Sequence, residues 1–259
     1  MSRSMDSPTA AGATAGPAPR RVVVVTGAAS GIGVAIATSL AAEGDAVVAV
    51  DLAQAVLDLE SGLLRPVIAD VATPEGVAAA IRVAWDAFGR LDGFVANAGI
   101  AGRGRAEDLA PEDWDRVMSV NARSVYLAAR EAIPLMRAGG GGSFVAVASQ
   151  LGLVGGRGMV AYAASKGAVV NLVRSLALDH SHEGVRVNCV CPGPTMTPML
   201  EASLAAGGEG AAGLVVGSVP LGRVGRPEEI ASVVRYLLSP EASFVAGAIW
   251  AADGGYIAQ

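Results

Sequence analysis

Tyr162 and Lys166 stand four positions apart in Ala161-Tyr162-Ala163-Ala164-Ser165-Lys166-Gly167-Ala168. On a helix, positions i and i+4 share a face, so the phenol and the ammonium would project into the same space. A neighbouring cation favours phenolate over phenol and lowers the tyrosine pKa. Such a phenol exchanges a proton with an alcohol, or with the ketone derived from it, near neutral pH. The spacing alone is not diagnostic, because Tyr126 and Arg130 share it.

A second constellation lies near the start of the chain. The β-branched run at 22–25 has the composition of a strand buried on both faces. It leads into Thr26-Gly27-Ala28-Ala29-Ser30-Gly31-Ile32-Gly33, and a helical stretch follows at 34–43. Strand, glycine turn and helix form the setting of a phosphate-binding loop. The glycines let the backbone approach a pyrophosphate, and the helix N-terminus offers free amides and a partial positive charge. Gly27, Ser30, Gly31, Ile32 and Gly33 are therefore candidate cofactor contacts. The next strand, 46–50, ends at Asp51, about 20 positions beyond the loop, where a dinucleotide fold meets the adenosine ribose. A carboxylate there accepts hydrogen bonds from both ribose hydroxyls and repels a 2′-phosphate. The glycine loop contains no Lys or Arg to offset that charge, so the expected cofactor is NAD(H) and not NADP(H).

These residues need a scaffold, and the strand–helix pattern repeats along the chain. A short strand at 67–69 ends at Asp70. Thr73-Pro74-Glu75 opens a helix, with Thr as N-cap and Pro at the first helical position, that runs to Phe88 and stops at Gly89. A strand at 93–96 leads into Asn97-Ala98-Gly99, and Pro111 opens a long helix to about 137. A strand at 143–148 ends in Ser149, and a helix at 160–182 carries Tyr162 and Lys166. A strand at 185–190, a helix from Pro227 and a last strand at 247–250 complete the series. This alternation predicts an α/β fold with one doubly wound parallel sheet covered on both faces. It predicts a single domain over 21–259, preceded by a disordered tail at 1–20 rich in Ser, Thr, Pro, Ala and Gly.

Taken together, Thr26-Gly27-x-x-x-Gly31-Ile32-Gly33, Asn97-Ala98-Gly99, Asn121, Ser149, Tyr162-x-x-x-Lys166 and Pro192-Gly193 resemble the short-chain dehydrogenase/reductase family in its common form. The resemblance covers nearly everything after the tail. It implies a Rossmann-type sheet and reversible hydride transfer between a nicotinamide and a carbonyl or alcohol carbon. Tyr162 would be the general acid/base. Lys166 would hold the nicotinamide ribose and depress the tyrosine pKa. Ser149 would hydrogen-bond the substrate oxygen, and Asn121 would hold a water in a proton relay. Asp70 and Val71 would meet the adenine, with Asn97 and Gly99 on its other side. Asn97 reads equally well as a tie between neighbouring strands. The backbone after Pro192 and Gly193 would meet the nicotinamide carboxamide. Thr195 stands there where the family usually has Val or Ile, and Thr197 would reach the carboxamide or diphosphate. The resemblance also implies a homotetramer, with the helices from 111 and 160 and the Asp253-Gly254-Gly255 region as interfaces.

Composition narrows the partners. The 52% hydrophobic and 4% aromatic content leaves Ala, Val, Leu and Gly to fill the core, which suits close packing of helices on a sheet. A formal net charge of -5 without a basic run argues against nucleic acid. The charge-free run at 138–156 is broken by glycines and polar residues, so no membrane span is expected. The first residues lack the apolar centre of a secretory signal, which points to the cytoplasm. Cys189 and Cys191 would share one side of a strand as reduced thiols. That strand carries them away from His180 and His182, so no metal site is expected.

Three stretches should surround the reacting carbon: 100–105, 150–159 and 195–218. The last is rich in Ala and Gly and reads as a mobile lid over an apolar pocket. Gln150 and Arg157 are candidate substrate contacts, and Arg103 and Arg105 share the arginine's capacity for an anion. The expected activity is an NAD-dependent oxidoreductase for a secondary alcohol or its ketone, with a small-molecule substrate. The alternatives are a 3-oxoacyl-thioester reductase and, in a different class, a non-catalytic dinucleotide-binding module.

Overall fold

The structure is a computed structural model that describes residues 18–259. Most of the tail expected at 1–20 lies outside the described residues, and Arg20 already donates its backbone N–H to the Gly44 carbonyl (3.0 Å).

The elements follow in the order β1 (Val22–Thr26), α1 (Gly31–Ala42), β2 (Ala46–Asp51), β3 (Leu64–Ile68), α2 (Pro74–Phe88), β4 (Gly93–Ala96), α3 (Pro111–Met118), α4 (Ser124–Ala138), β5 (Gly142–Val147), α5 (Val160–His180), β6 (Val185–Pro192), α6 (Pro198–Gly207), α7 (Ala211–Gly217), α8 (Pro227–Leu238) and β7 (Ile249–Ala252). The seven strands form one sheet in the order β3-β2-β1-β4-β5-β6-β7, and every neighbouring pair is parallel. The chain builds outward from β1 to β3, then crosses over to β4 on the other side of β1. The carboxyl ends of β1 and β4 thus flank the point where the strand order reverses, where open α/β sheets bind ligands.

Side-chain alternation along the strands divides the core. Val22, Val24, Val48, Phe94 and Phe144 face one way, with buried residues of α2, α4 and α5. Val23, Val25, Val47, Val95, Val145 and Val190 face the other, with α1 and α8. The Phe94 and Phe144 rings stack at 5.5 Å between centroids on adjacent strands.

Several boundaries differ from the sequence expectation. The strand expected at 67–69 begins at Leu64 and includes Pro66. It is the sheet's edge, where a missing N–H costs no ladder bond. The long helix from Pro111 is interrupted by a π-helical turn at Ser119–Arg123. The helix expected to reach 182 ends at His180, and a 3-10 turn spans Ser181–Glu183. The last strand is Ile249–Ala252, not 247–250. The stretch read as a lid contains α6 and α7, neither of which has a buried residue. Cys189 and Cys191 are free and buried with sulfurs 3.9 Å apart. His180 bonds Glu183 at the end of α5 (2.8 Å). No helix among the described residues is long and apolar enough to cross a membrane.

Candidate active site

A cleft of about 440 Å³ opens along the carboxyl edge of the sheet. Its floor is the turn from β1 into α1, and one close approach and two left-handed glycines fix that turn. A Cβ on Gly33 would sit 1.8 Å from the Gly27 carbonyl oxygen. Gly27 and Gly31 have φ of 67° and 53°, which a side chain disfavours. Ser30 is the N-cap of α1 but its hydroxyl caps nothing. The first-turn amides are left to a ligand, as a pyrophosphate would require.

Asp51 is bound into this turn. Its two carboxylate oxygens accept from Ala29 N–H and Ala53 N–H, both at 3.0 Å. Asn97 performs the structural role weighed for it: Nδ2 donates to the Thr26 carbonyl (2.9 Å) and its backbone N–H donates to Thr26 Oγ1 (3.0 Å). It also lines the cleft.

The second wall comes from β5 and α5. Ser149, just past β5, caps a short 3-10 turn, with Oγ accepting from Leu151 N–H (3.1 Å). One lone pair of that hydroxyl is thus committed while its proton stays available. Lys166 is only 4% exposed, and its Nζ donates to the Val147 carbonyl (3.0 Å). The amine is 5.8 Å from the Tyr162 ring centroid. Gly99 lets the walls meet, since a Cβ there would be 3.3 Å from both Asn121 Oδ1 and Lys166 Nζ.

The π turn brings Asn121 into this junction, fully buried. Oδ1 accepts from Ile100 N–H (2.8 Å), and Nδ2 donates to the Ile100 carbonyl and to Ser165 Oγ, each at 3.0 Å. Ser165 in turn donates to the Tyr162 carbonyl (2.7 Å). Asn121 is therefore a strut between the loop after β4 and the first turns of α5. Both its donors are spent, and one Oδ1 lone pair is all the side chain could offer a water.

Burial dominates the electrostatics of this wall. Burial raises the Tyr162 pKa above its ordinary value, while interaction with the Ser149 side chain pulls it down. The Lys166 ammonium is turned toward the Val147 carbonyl. Burial lowers Lys166 itself to about 8, and charge interactions with Cys189 and Cys191 pull it back up. The hydrogen bond to Cys191, followed by burial, pushes Cys189 well up.

The cleft gathers Gly27, Ser30, Gly31, Ile32, Gly33, Asp51, Asn97, Gly99, Ser149, Gln150, Tyr162, Lys166, Pro192, Gly193, Thr195 and Thr197. Four expected residues do not line it. Asp70 caps the turn into α2, accepting from Ala72 N–H (2.9 Å), and Val71 lies in the core. Asn121 stands behind the wall, and Arg157 is exposed.

This arrangement has counterparts. Residues 27–257 match the family model described as enoyl-(acyl carrier protein) reductase. The chain is 41% identical over 249 residues to 2-(S)-hydroxypropyl-CoM dehydrogenase 3 of Xanthobacter autotrophicus, covering 92% of this chain and 96% of that one. It is 42% identical over 245 residues to cis-4-hydroxycyclohexanecarboxylate dehydrogenase of Sinomonas cyclohexanicum, covering 92% and 97%. It superposes with a TM-score of 0.86 on 3-ketoacyl-(acyl-carrier-protein) reductase from Brucella melitensis complexed with NADH, at 31% identity and covering 92% and 98%.

The chain is a short-chain dehydrogenase/reductase. It is an oxidoreductase of alcohol and ketone groups.

The segment after β6 borders the cleft, and Thr195 and Thr197 shape it. Thr195 Oγ1 donates to the Gly193 carbonyl (3.0 Å), and Thr195 pairs with Gly225. Thr197 caps α6 through Leu200 N–H (3.3 Å), and a Cβ on Gly31 would meet its methyl at 3.0 Å. The family pattern carried no signal for Ser203. It receives the Arg103 guanidinium on both its hydroxyl and its carbonyl, clasping α6 to the loop after β4. Nor did it mark the cysteines of β6 as neighbours of the Lys166 charge.

Proposed function

We propose that this protein transfers hydride between NAD(H) and the carbon of a secondary alcohol or its ketone, with Tyr162 exchanging the proton on oxygen. One observation carries the reading: Ser149, Tyr162 and Lys166 border the same cleft as the glycine turn. The turn suits a dinucleotide, because its close backbone packing and uncapped first-turn amides make an anion cradle. When bound, the nicotinamide supplies or accepts the hydride. Ser149 directs its free proton to the substrate oxygen. Tyr162 Oη gives that oxygen a proton in reduction and removes one in oxidation. Lys166 would hold the cofactor ribose, and Asn121 holds the Tyr162 helix in register.

Asp51 supports NAD(H) over NADP(H), since its carboxylate is fixed by two amides beside the glycine turn and would repel a 2′-phosphate there. The NADH in the Brucella reductase is in keeping with this. That likeness also favours a second reading, reduction of a 3-oxoacyl thioester. Exposed Leu178 and Tyr126, on α5 and α4, support a homotetramer built on these helices. Free, buried thiols suit the cytoplasm.

The test is a panel of secondary alcohols, ketones and a 3-oxoacyl thioester, assayed in both directions with both nicotinamide cofactors. The reading expects turnover of alcohols and ketones with NAD(H). Cofactor binding without turnover of any member contradicts it. Because burial keeps Tyr162 protonated through neutral pH, reduction should be flat there and fall in strong base. Oxidation, which needs the phenolate, should rise with pH. Stopped-flow rates across pH check both limbs.

A further inference from the structure

Beyond the cofactor turn, the cleft holds a buried polar side chain that neither the fold nor the proton chemistry uses. Gln150 follows Ser149, lines the cleft and is only 7% exposed. Its backbone is fixed, with the carbonyl accepting from Leu153 N–H (2.9 Å) and Val154 N–H (3.1 Å). Its amide is not: Oε1 is shut off from solvent and has no hydrogen-bond partner among the described residues. Two other polar side chains on the cleft are committed, Thr195 to Gly193 and Arg103 to Ser203. The surroundings are otherwise apolar, with Leu151, Met159, Met199, Leu200 and Val215 on the same cleft.

A buried amide without a partner costs the fold free energy that a Leu or Met of similar size would not. Packing therefore gives no reason for it. The terminal bond of glutamine turns easily, so the group presents either an acceptor or a pair of donors to the cleft. It sits one residue from the hydroxyl that meets the substrate oxygen, so what it can reach lies near the reacting carbon.

We propose that Gln150 is the specificity-determining residue and hydrogen-bonds a second oxygen, a hydroxyl or carbonyl borne on a carbon close to the reacting one. The preferred substrates are then hydroxyketones, diketones and the matching diols, in preference to simple ketones and mono-alcohols. This rests on hydride transfer at an alcohol or ketone carbon. Discrimination follows because an analogue lacking the second oxygen leaves the buried amide unpaired.

The test compares kcat/KM for 2-hydroxycyclohexanone and cyclohexanone in wild type, Gln150→Leu and Gln150→Met, with NADH titrated by fluorescence to confirm an intact cofactor half. Wild type should favour the hydroxyketone. Both variants should lower the hydroxyketone-to-ketone ratio by roughly tenfold to a hundredfold. A ratio unchanged by either substitution overturns the proposal, as does a wild type that handles the two ketones equally. The second result decides the matter even if both variants fail to fold. A wild type that reduces neither ketone also overturns it, and the hydride-transfer reading falls too only if the full panel of alcohols and ketones is inert.

Discussion

The packed side of the cleft, its glycine-turn floor together with the β5–α5 wall, is built differently from the α6–α7 side. On the glycine-turn side, every residue of β1 is buried and α1 buries Gly33, Ala35, Ile36, Ala37 and Leu40. On the opposite side α6 and α7 bury nothing. They are tied down by single contacts, such as the Arg103 clasp on Ser203 and the pairing of Thr195 with Gly225. Groups that must hold charge and reacting atoms in fixed geometry lie on the wall that packing makes rigid. Groups that must admit and release substrate lie on the wall with little to lose by moving.

The largest effect should come from breaking the rigid wall. Gly33→Val places a branched side chain where even a Cβ would be 1.8 Å from the Gly27 oxygen. It should cost ~3 kcal/mol of stability or more and abolish NADH binding, read by urea melts and fluorescence titration.

Lys166→Met should separate stability from function on the same wall. The folded-state pKa of about 8 lies below the ordinary 10.5, so the unfolded chain holds the lysine proton more tightly. Burying the charge is therefore a full penalty below about pH 8, relieved as pH rises from about 8 to 10.5. Removing the amine should raise stability at neutral pH by roughly 1–2 kcal/mol, after allowing for the orphaned Val147 carbonyl. It should also flatten stability across that alkaline window and abolish turnover.

Asp51→Ala should narrow the preference for NAD over NADP by roughly tenfold to a hundredfold, measured as a ratio of kcat/KM. An unchanged ratio would mean that Asp51 only braces the Ala29 and Ala53 amides. The smallest effect belongs to the loose wall. Ser203→Ala removes half of the Arg103 clasp, and should change stability by no more than ~0.5 kcal/mol while shifting KM more than the melting midpoint.

The same contrast explains what the sequence disclosed. The rigid wall was legible because its requirements act on residue type: Val runs for doubly buried strands, Gly where a Cβ meets a carbonyl, and Tyr and Lys at helical spacing. Asn121 was legible as a position but not as a strut, because its partners Ile100 and Ser165 are 21 and 44 residues away. Asp70 and Val71 do not line the cleft because the turn after β3 is spent on entering α2, with Asp70 accepting from Ala72 N–H and Val71 packed in the core. The turn of Lys166 toward Val147 is set by tertiary burial, which spacing along a helix does not report. The loose wall gave composition without elements, since short helices that bury nothing leave no periodic apolar stripe.

The central claim is that Tyr162 moves the proton on a wall already built for the cofactor. Tyr162→Phe removes one oxygen and little else, so the decisive measurement is its NADH dissociation constant beside its turnover number. The account predicts cofactor affinity retained and turnover reduced by about 10²–10⁴. Affinity and turnover falling together, or turnover that persists, would contradict it.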